Sequence, residues 1–315
     1  MNDLPNNALQ GRYLGCLFGM AVGDALGAPV EFQQPGTFEP ITDMRAGGPF
    51  NLPAGHWTDD TAMALCISAS LIEHEDFIPL DIIQRFVRWY REGYLSSTGA
   101  CFDIGNRTLA ALEDFERTGQ PFRPDGFCDF PSNGSIMRLA PIPMAYRVDP
   151  DRAIRLAVES SRLTHNHPDA QDACRYLAAL TLGALGGASK TDLLQPFFAP
   201  AENIWHDSPL TDPMADLARG SYREKEQDDI HPSAHAVSCL EAALWAFAST
   251  ETYQEGLLLV VNMGDDSDTT GAVYGQLAGA FYGYAAIPSR WLDGLAHPAL
   301  LRDHALSLLR LSERF

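Results

Sequence analysis

A chain of 315 residues with 46% hydrophobic and 20% charged side chains is long enough for one large or two ordinary domains and has ordinary globular composition. Its net charge of -19, from 22 basic and 41 acidic side chains, excludes the basic footprint that nucleic-acid binding needs. If the substrate carries phosphate, so acidic a chain must supply local positive charge from metals, helix N-termini or a few arginines.

The chain opens without a basic stretch followed by an apolar core, so no secretion signal is expected. The six cysteines, at 16, 66, 101, 128, 174 and 239, form no CxxC pair and sit in apolar, helix-like runs; buried free thiols in a reducing cytoplasm are the expectation. Gly11, Gly15, Gly19, Gly23 and Gly27 recur every four residues, which places them close to one face of a helix. Each interior glycine costs about 0.5–1 kcal/mol relative to alanine, so the stripe predicts close approach of another backbone. Asp24 and Glu31 flank Gly27 and Pro29, where that helix should end. Glu31 lies between Val30 and Phe32, and a carboxylate among apolar neighbours is a candidate for a raised pKa and acid/base work.

A loop over 33–57 leads to Thr58, Asp59, Asp60 and Thr61, the first acidic cluster, and then to a helical pattern over 61–73. Further helical patterns run over 80–91 and 104–117, the latter opened by Asp103 and Asn106. The loop at 119–135 carries Ser132, Asn133, Gly134 and Ser135 ahead of Arg138; its amides and hydroxyls suit a phosphate or a ribose. Helical spacing returns over 151–160 and 170–186, separated by a loop at 161–168 with His165 and His167. Those two histidines lack the helical spacing of a zinc motif. The polar stretch 199–231 reads as a surface excursion with a short helix around 211–220, and it contains a His206-Asp207 pair. Helices are then expected over 233–248 and 269–285, the second preceded by Gly264, Asp265, Asp266, Ser267, Asp268 and Thr269. Gly271, Gly275, Gly279 and Gly283 repeat the four-residue spacing of the first helix. A tightly packed helix pair is the reading, rather than a membrane dimer, because both segments are short and carry or abut Asp24, Asp266 and Asp268. Strand-like alternation is scarce and no linker divides the chain, so an all-α, single-domain protein over 1–315 is expected.

The two acidic clusters carry most of the chemistry. Plain N-capping accounts for one oxygen side chain at each helix start, but each cluster has several. A calcium loop beginning at Asp266 or Asp268 needs Glu at its twelfth position, where the chain has Leu277 or Gly279. Dense Asp and Thr oxygens suit hard divalent cations, and two such clusters could hold two Mg²⁺ or Mn²⁺ ions.

In this order, Gly23-Asp-Ala-Leu-Gly with Glu31, Thr58-Asp-Asp-Thr, Asp103-Ile-Gly-Asn, Ser132-Asn-Gly-Ser-Ile-Met-Arg, Thr164-His and Gly264-Asp-Asp-Ser-Asp-Thr-Thr-Gly-Ala resemble the ADP-ribosylglycohydrolases, specifically the branch of the dinitrogenase reductase-activating glycohydrolase. The likeness runs from about residue 10 to about 286. It implies a helical fold with a two-metal cleft and a metal-dependent cleavage of ADP-ribose from a modified protein side chain, arginine first. By that likeness Thr58, Asp59, Asp60, Asp266, Asp268 and Thr269 are metal ligands, and Glu31 and Asp103 the catalytic acids. Ser132, Asn133, Gly134, Ser135 and His165 contact substrate, with Asp24 and His235 also on the substrate side. An ADP-ribosylated protein is the expected partner, ADP-ribose the product, and a monomer the expected state. The chain departs from the pattern at Asp265, where relatives read Gly, and at Ala234-His235, where they often read Gly-Tyr. A non-catalytic ADP-ribose binder, or a metal phosphohydrolase acting through His206-Asp207, are the alternatives.

Overall fold

A computed structural model describes residues 7–124 and 128–314. Residues 1–6 and 315, and 125–127 within the loop expected at 119–135, lie outside the described residues. The helices are α1 (Ala8–Gly27), α2 (Asp59–His74), α3 (Pro79–Glu92), α4 (Asn106–Thr118), α5 (Pro141–Ala145), α6 (Pro150–Arg162), α7 (Pro168–Gly186), α8 (Lys190–Leu193), α9 (Ile204–Asp207), α10 (Asp212–Arg219), α11 (Ala236–Ser249), α12 (Tyr253–Val261), α13 (Ser267–Tyr282), α14 (Ser289–Gly294) and α15 (Pro298–Ser312). Among the described residues there is no strand, only two isolated bridges, Gly47 with Leu52 and Ser132 with His235. The all-α reading therefore holds. The excursion at 199–231 is more ordered than expected, with α9, α10 and two short 3-10 turns.

Local signals account for most boundaries. Asn7 caps α1 by accepting from the Gln10 amide at 2.8 Å. Proline opens α3, α5, α6, α7 and α15 and stands second in α10, where its missing N–H is no loss. The pattern expected over 233–248 starts at Ala236 because His235 is extended and caps the helix, and the Asn133 amide donates to the Ala234 carbonyl.

The centre of the molecule is the antiparallel pair of α1 and α13. A Cβ on Gly23 would lie 2.0 Å from the Gly271 carbonyl oxygen, and one on Gly275 would lie 2.1 Å from the Gly19 carbonyl oxygen. The two glycine stripes thus face each other along their length, at separations where backbone Cα–H groups meet carbonyls. By length and composition α1, with the turn that follows it, could cross a membrane, but its apolar window is wholly buried against protein. Around this pair pack α7, α11, α12 and α15. Tyr13 ties α1 to the C-terminal helix, its hydroxyl lying 2.8 Å from Ser312 Oγ and 2.7 Å from the Met144 carbonyl oxygen.

A half-buried titratable group beside this core is of consequence for stability. His304 on α15 pairs with Ser68 Oγ at 2.8 Å, and burial, aided by the Arg85 charge, pushes its pKa down to about 4 against the pull of Asp303. The unfolded chain then binds the proton more readily between pH 6.5 and 4, so stability falls as pH drops through that window. At pH 5 the loss should be on the order of 1 kcal/mol. Melting curves across that range should show a slope that flattens in His304→Gln.

Candidate active site

The site forms where three helix ends converge. Gly27, at the end of α1, has no Cβ because one would stand 2.3 Å from the Ser267 carbonyl oxygen; Ser267 Oγ in turn donates to the Gly27 carbonyl at 2.9 Å. This contact sets the end of α1 against the start of α13. Glu31 then leaves the helix beside Asp268. The first turn of α2 arrives from the other side with Asp59 and Asp60. Both α2 and α13 present acids at their N-termini, where the helix dipole favours negative charge.

Hydrogen bonds hold these carboxylates in place. Thr58 Oγ1 donates to Asp60 Oδ2 at 2.8 Å and lies 3.3 Å from Asp268 Oδ2, so it bridges the two clusters. Asn133 Nδ2 donates to Asp266 Oδ2 at 2.8 Å. The segment after Glu31 is latched to the second cluster by main chain alone: the Phe32 amide donates to the Asp265 carbonyl at 2.7 Å, and the Asp265 amide donates to the Gln33 carbonyl at 2.8 Å. Phe32, Asp103 and Asp265 all adopt left-handed backbone conformations.

The resulting cleft has a volume of about 300 Å³. Glu31, Asp59, Asp103, Asp266, Asp268 and Thr269 line it, as do Ser132, Asn133, Gly134 and His165. Burial, and then the neighbouring carboxylates, push Glu31 up to about 12 and Asp103 up to about 11. Asp59, Asp60 and Asp268 are also driven well above the usual carboxylate range, burial again first. So many acids in one place repel one another unless protons or cations intervene. Oxygens of Asp24, Asp60 and Asp268 lie within 4.8 Å of one another, as do those of Glu31, Asp103 and Asp268. Glu31 Oε2, Asp60 Oδ1 and Asp268 Oδ1 are buried and have no hydrogen-bond partner. Unsatisfied buried carboxylate oxygens in two overlapping sets fit divalent cations, which want oxygen ligands and would lower these pKa values.

Several residues sit elsewhere than the sequence suggested. Asp24 is not on the substrate side. It is fully buried, and its carboxylate accepts from the Thr58 amide (2.8 Å), the Thr61 amide (3.1 Å) and Thr61 Oγ1 (2.7 Å), because the last turn of α1 points it at the start of α2. Ser135 points inward, accepting from Ser161 Oγ at 2.9 Å, so it does not line the cleft with Ser132 to Gly134. His235 caps α11, its ring edge-on to Phe130 at 5.4 Å; the cleft wall there is Ala234. His165 is buried and kept neutral by burial and by the charges of Arg138 and Arg107, with Nδ1 at 2.7 Å from Thr164 Oγ1. His167 instead caps α7, so the two histidines do not form a metal pair. His206 and Asp207 lie on α9 with side chains 86% and 76% exposed, outside the cleft. Phe32, Arg107, Thr108, Phe130 and Met137 line the cleft without having been singled out; Arg107, next to Asn106 at an expected helix start, was the one with a readable signal.

Sequence and structure comparisons show which known proteins the chain resembles. The ADP-ribosylglycohydrolase family profile matches residues 5–315. The chain is 40% identical over 292 residues to ADP-ribosylarginine hydrolase Tri1 of Pseudomonas putida (strain GB-1), covering 93% of this chain and 76% of that protein. It is 31% identical to the ADP-ribosyl-[dinitrogen reductase] glycohydrolase of Rhodospirillum rubrum, over 90% of each chain. A solved ADP-ribosylglycohydrolase-related protein complex contains a chain with 42% identity and a TM-score of 0.84, covering 96% of this chain and 99% of its own. With residues 5–315 matched by the family profile and 96% of the chain matched in fold, this chain belongs to the ADP-ribosylglycohydrolase family.

Proposed function

We propose that the protein removes ADP-ribose from modified arginine side chains of a target protein. The observation that carries this reading is the acidic cleft itself, where a carboxylate set that lines it, Glu31, Asp103 and Asp268, meets at Asp268 a second, fully buried set with Asp24 and Asp60. Arginine is favoured because relatives bearing the name ADP-ribosylarginine hydrolase span over 90% of the chain, and because a guanidinium leaving group suits a carboxylate-lined pocket. The six free thiols, five of them buried, fit a cytoplasmic setting, and a monomer acting on its target fits one chain that holds every site residue.

Thr58, Asp59, Asp60, Asp266, Asp268 and Thr269 are the proposed ligands of two divalent cations, Mg²⁺ or Mn²⁺. When bound, these ions would supply positive charge to the ribose hydroxyls and acidity to the attacking water. The chain's own groups do the rest. Thr58 and Asn133 fix the carboxylates that face the ribose. Asp24 fixes the backbone of Thr58 and Thr61, and so acts through them. Glu31 receives the proton of the attacking water. Asp103 delivers a proton to the departing guanidino nitrogen. Without cations both carboxyls are held protonated; divalent cations at the neighbouring acids would lower them, so that Glu31 can accept a proton while Asp103 keeps one. Ser132, Asn133 and Gly134 lie along the path of the remaining ADP-ribose, with His165 behind Gly134.

The test is release of ADP-ribose from an arginine-ADP-ribosylated protein with Mg²⁺, with Mn²⁺ and with chelator. Metal-dependent release is expected. Absence of release, with serine- and nucleotide-linked substrates equally inert, would refute the reading, and tight ADP-ribose binding without turnover would favour a non-catalytic relative. The His206-Asp207 phosphohydrolase is disfavoured because that exposed pair lies outside the acidic cleft.

A further inference from the structure

A strongly acidic cleft that accepts a diphosphate needs a counter-charge. Glu31, Asp59, Asp103, Asp266 and Asp268 line the cleft, and divalent cations at those acids would serve the ribose end. Along the rest of the wall, Arg107 is the sole lysine or arginine among the described lining residues. His165 cannot supply a second charge, being held neutral.

Arg107 stands in the first turn of α4. The residue before that helix, Gly105, offers no side chain to cap it, so the first-turn amides of Asn106, Arg107 and Thr108, residues that all line the cleft, have no side-chain capping partner. This turn is set against the Ser132–Gly134 loop: a Cβ on Gly134 would lie 3.7 Å from Thr108 Oγ1. On the loop side, Ser132 Oγ is buried and has no hydrogen-bond partner. An arginine fork, free helix-start amides and an unsatisfied hydroxyl therefore converge on one stretch of wall. Arg107 is held ready by Asp129, to which Nη2 donates at 2.6 Å, with the Phe130 ring 5.8 Å away. The Asp129 side chain is 89% exposed, so water and salt screen that pair and it is easily exchanged for a better anion.

We propose that Arg107, together with the open first turn of α4 and the Ser132 hydroxyl, grips the diphosphate of the substrate and is a specificity-determining residue of this enzyme. The inference rests on the ADP-ribose reading and adds to it the residue that recognises the anionic linker.

Calorimetric titration with ADP-ribose in Mg²⁺, at low and at high salt, separates the possibilities. Arg107→Gln should weaken binding roughly 10–100-fold, the loss typical of a hydrogen bond to a charged group. Its affinity should also fall less steeply with salt than that of the wild type. Asp129→Asn should leave affinity within about twofold or tighten it, because Arg107 is then released to the ligand. Binding by Arg107→Gln within about twofold of wild type would overturn the assignment. So would equal weakening in Asp129→Asn, which would make the ion pair structural. If the wild type itself does not bind ADP-ribose, the functional reading falls and takes this inference with it; normal wild-type binding with an unchanged Arg107→Gln removes the inference alone.

Discussion

Asp268→Asn is expected to lower ADP-ribose release by roughly a thousandfold while leaving the fold intact. Asp268 is the one residue common to both oxygen sets, and its Oδ1 is buried without a partner. Replacing it removes a charged oxygen from each of the two sets and from the proposed ligands. The amide keeps the size and can still accept from Thr58, so packing around the start of α13 should survive. Stability in chelator provides the second readout. Asp268, Asp60, Asp59 and Glu31 are all driven up in pKa partly by one another, which means the folded state carries their mutual repulsion. In chelator the variant should therefore melt at or above the wild-type temperature. Adding Mg²⁺ or Mn²⁺ should raise the wild-type melting temperature through preferential binding to the folded state, and the variant much less. Asp265→Asn is the control, since that side chain is exposed and belongs to neither set. Unimpaired turnover in Asp268→Asn would remove this residue from the proposed ligands.

The largest effect on stability is expected at Gly23. A methyl group there would lie 2.0 Å from the Gly271 carbonyl oxygen and 2.4 Å from its carbon, so no side-chain rearrangement can relieve it. Alanine is intrinsically the better helix former by about 1 kcal/mol, and in this position that preference is overwhelmed. Gly23→Ala should destabilise by on the order of 3 kcal/mol, because α1 and α13 must move apart as bodies. Gly186→Ala is the matched control: it also lies in a helix, but nothing stands within 4 Å of the added carbon. That substitution should be neutral or gain a few tenths of a kcal/mol. Equal melting temperatures for the two variants would contradict the packing described. Activity should fall further in Gly23→Ala than unfolding explains, since the helix pair also sets the position of Glu31 relative to Asp268.

What the sequence made legible follows from which features are local. Glycines every four residues in two distant segments predict a backbone-to-backbone helix pair, and this pair lies at the centre of the fold. The acidic clusters were visible because each exceeds what capping requires. Residues whose meaning depends on the rotation of a helix were less legible. Asp24 stands near Glu31 in the chain and was expected on the same surface, yet its partners are Thr58 and Thr61, more than thirty residues on. Ser135 follows three cleft residues but turns toward Ser161 on α6, a contact no spacing rule supplies. Arg107, in the first turn of α4, and Phe130, in the loop before Ser132, form part of one rim from segments apart in the chain, and Phe130 carried no signal of its own.

The latch between Phe32–Gln33 and Asp265 separates two kinds of evolutionary freedom. It uses only amides and carbonyls, so it holds the reacting carboxylates in register whatever side chains stand at 32 and 265. Those side chains point outward, and Phe32 is 67% exposed at the mouth of the cleft. Selection can therefore refit the mouth to a new protein client without retuning the chemistry beneath it. The one restriction is tolerance of a left-handed backbone, which the short polar side chain of Asp265 meets more readily than a bulky one would.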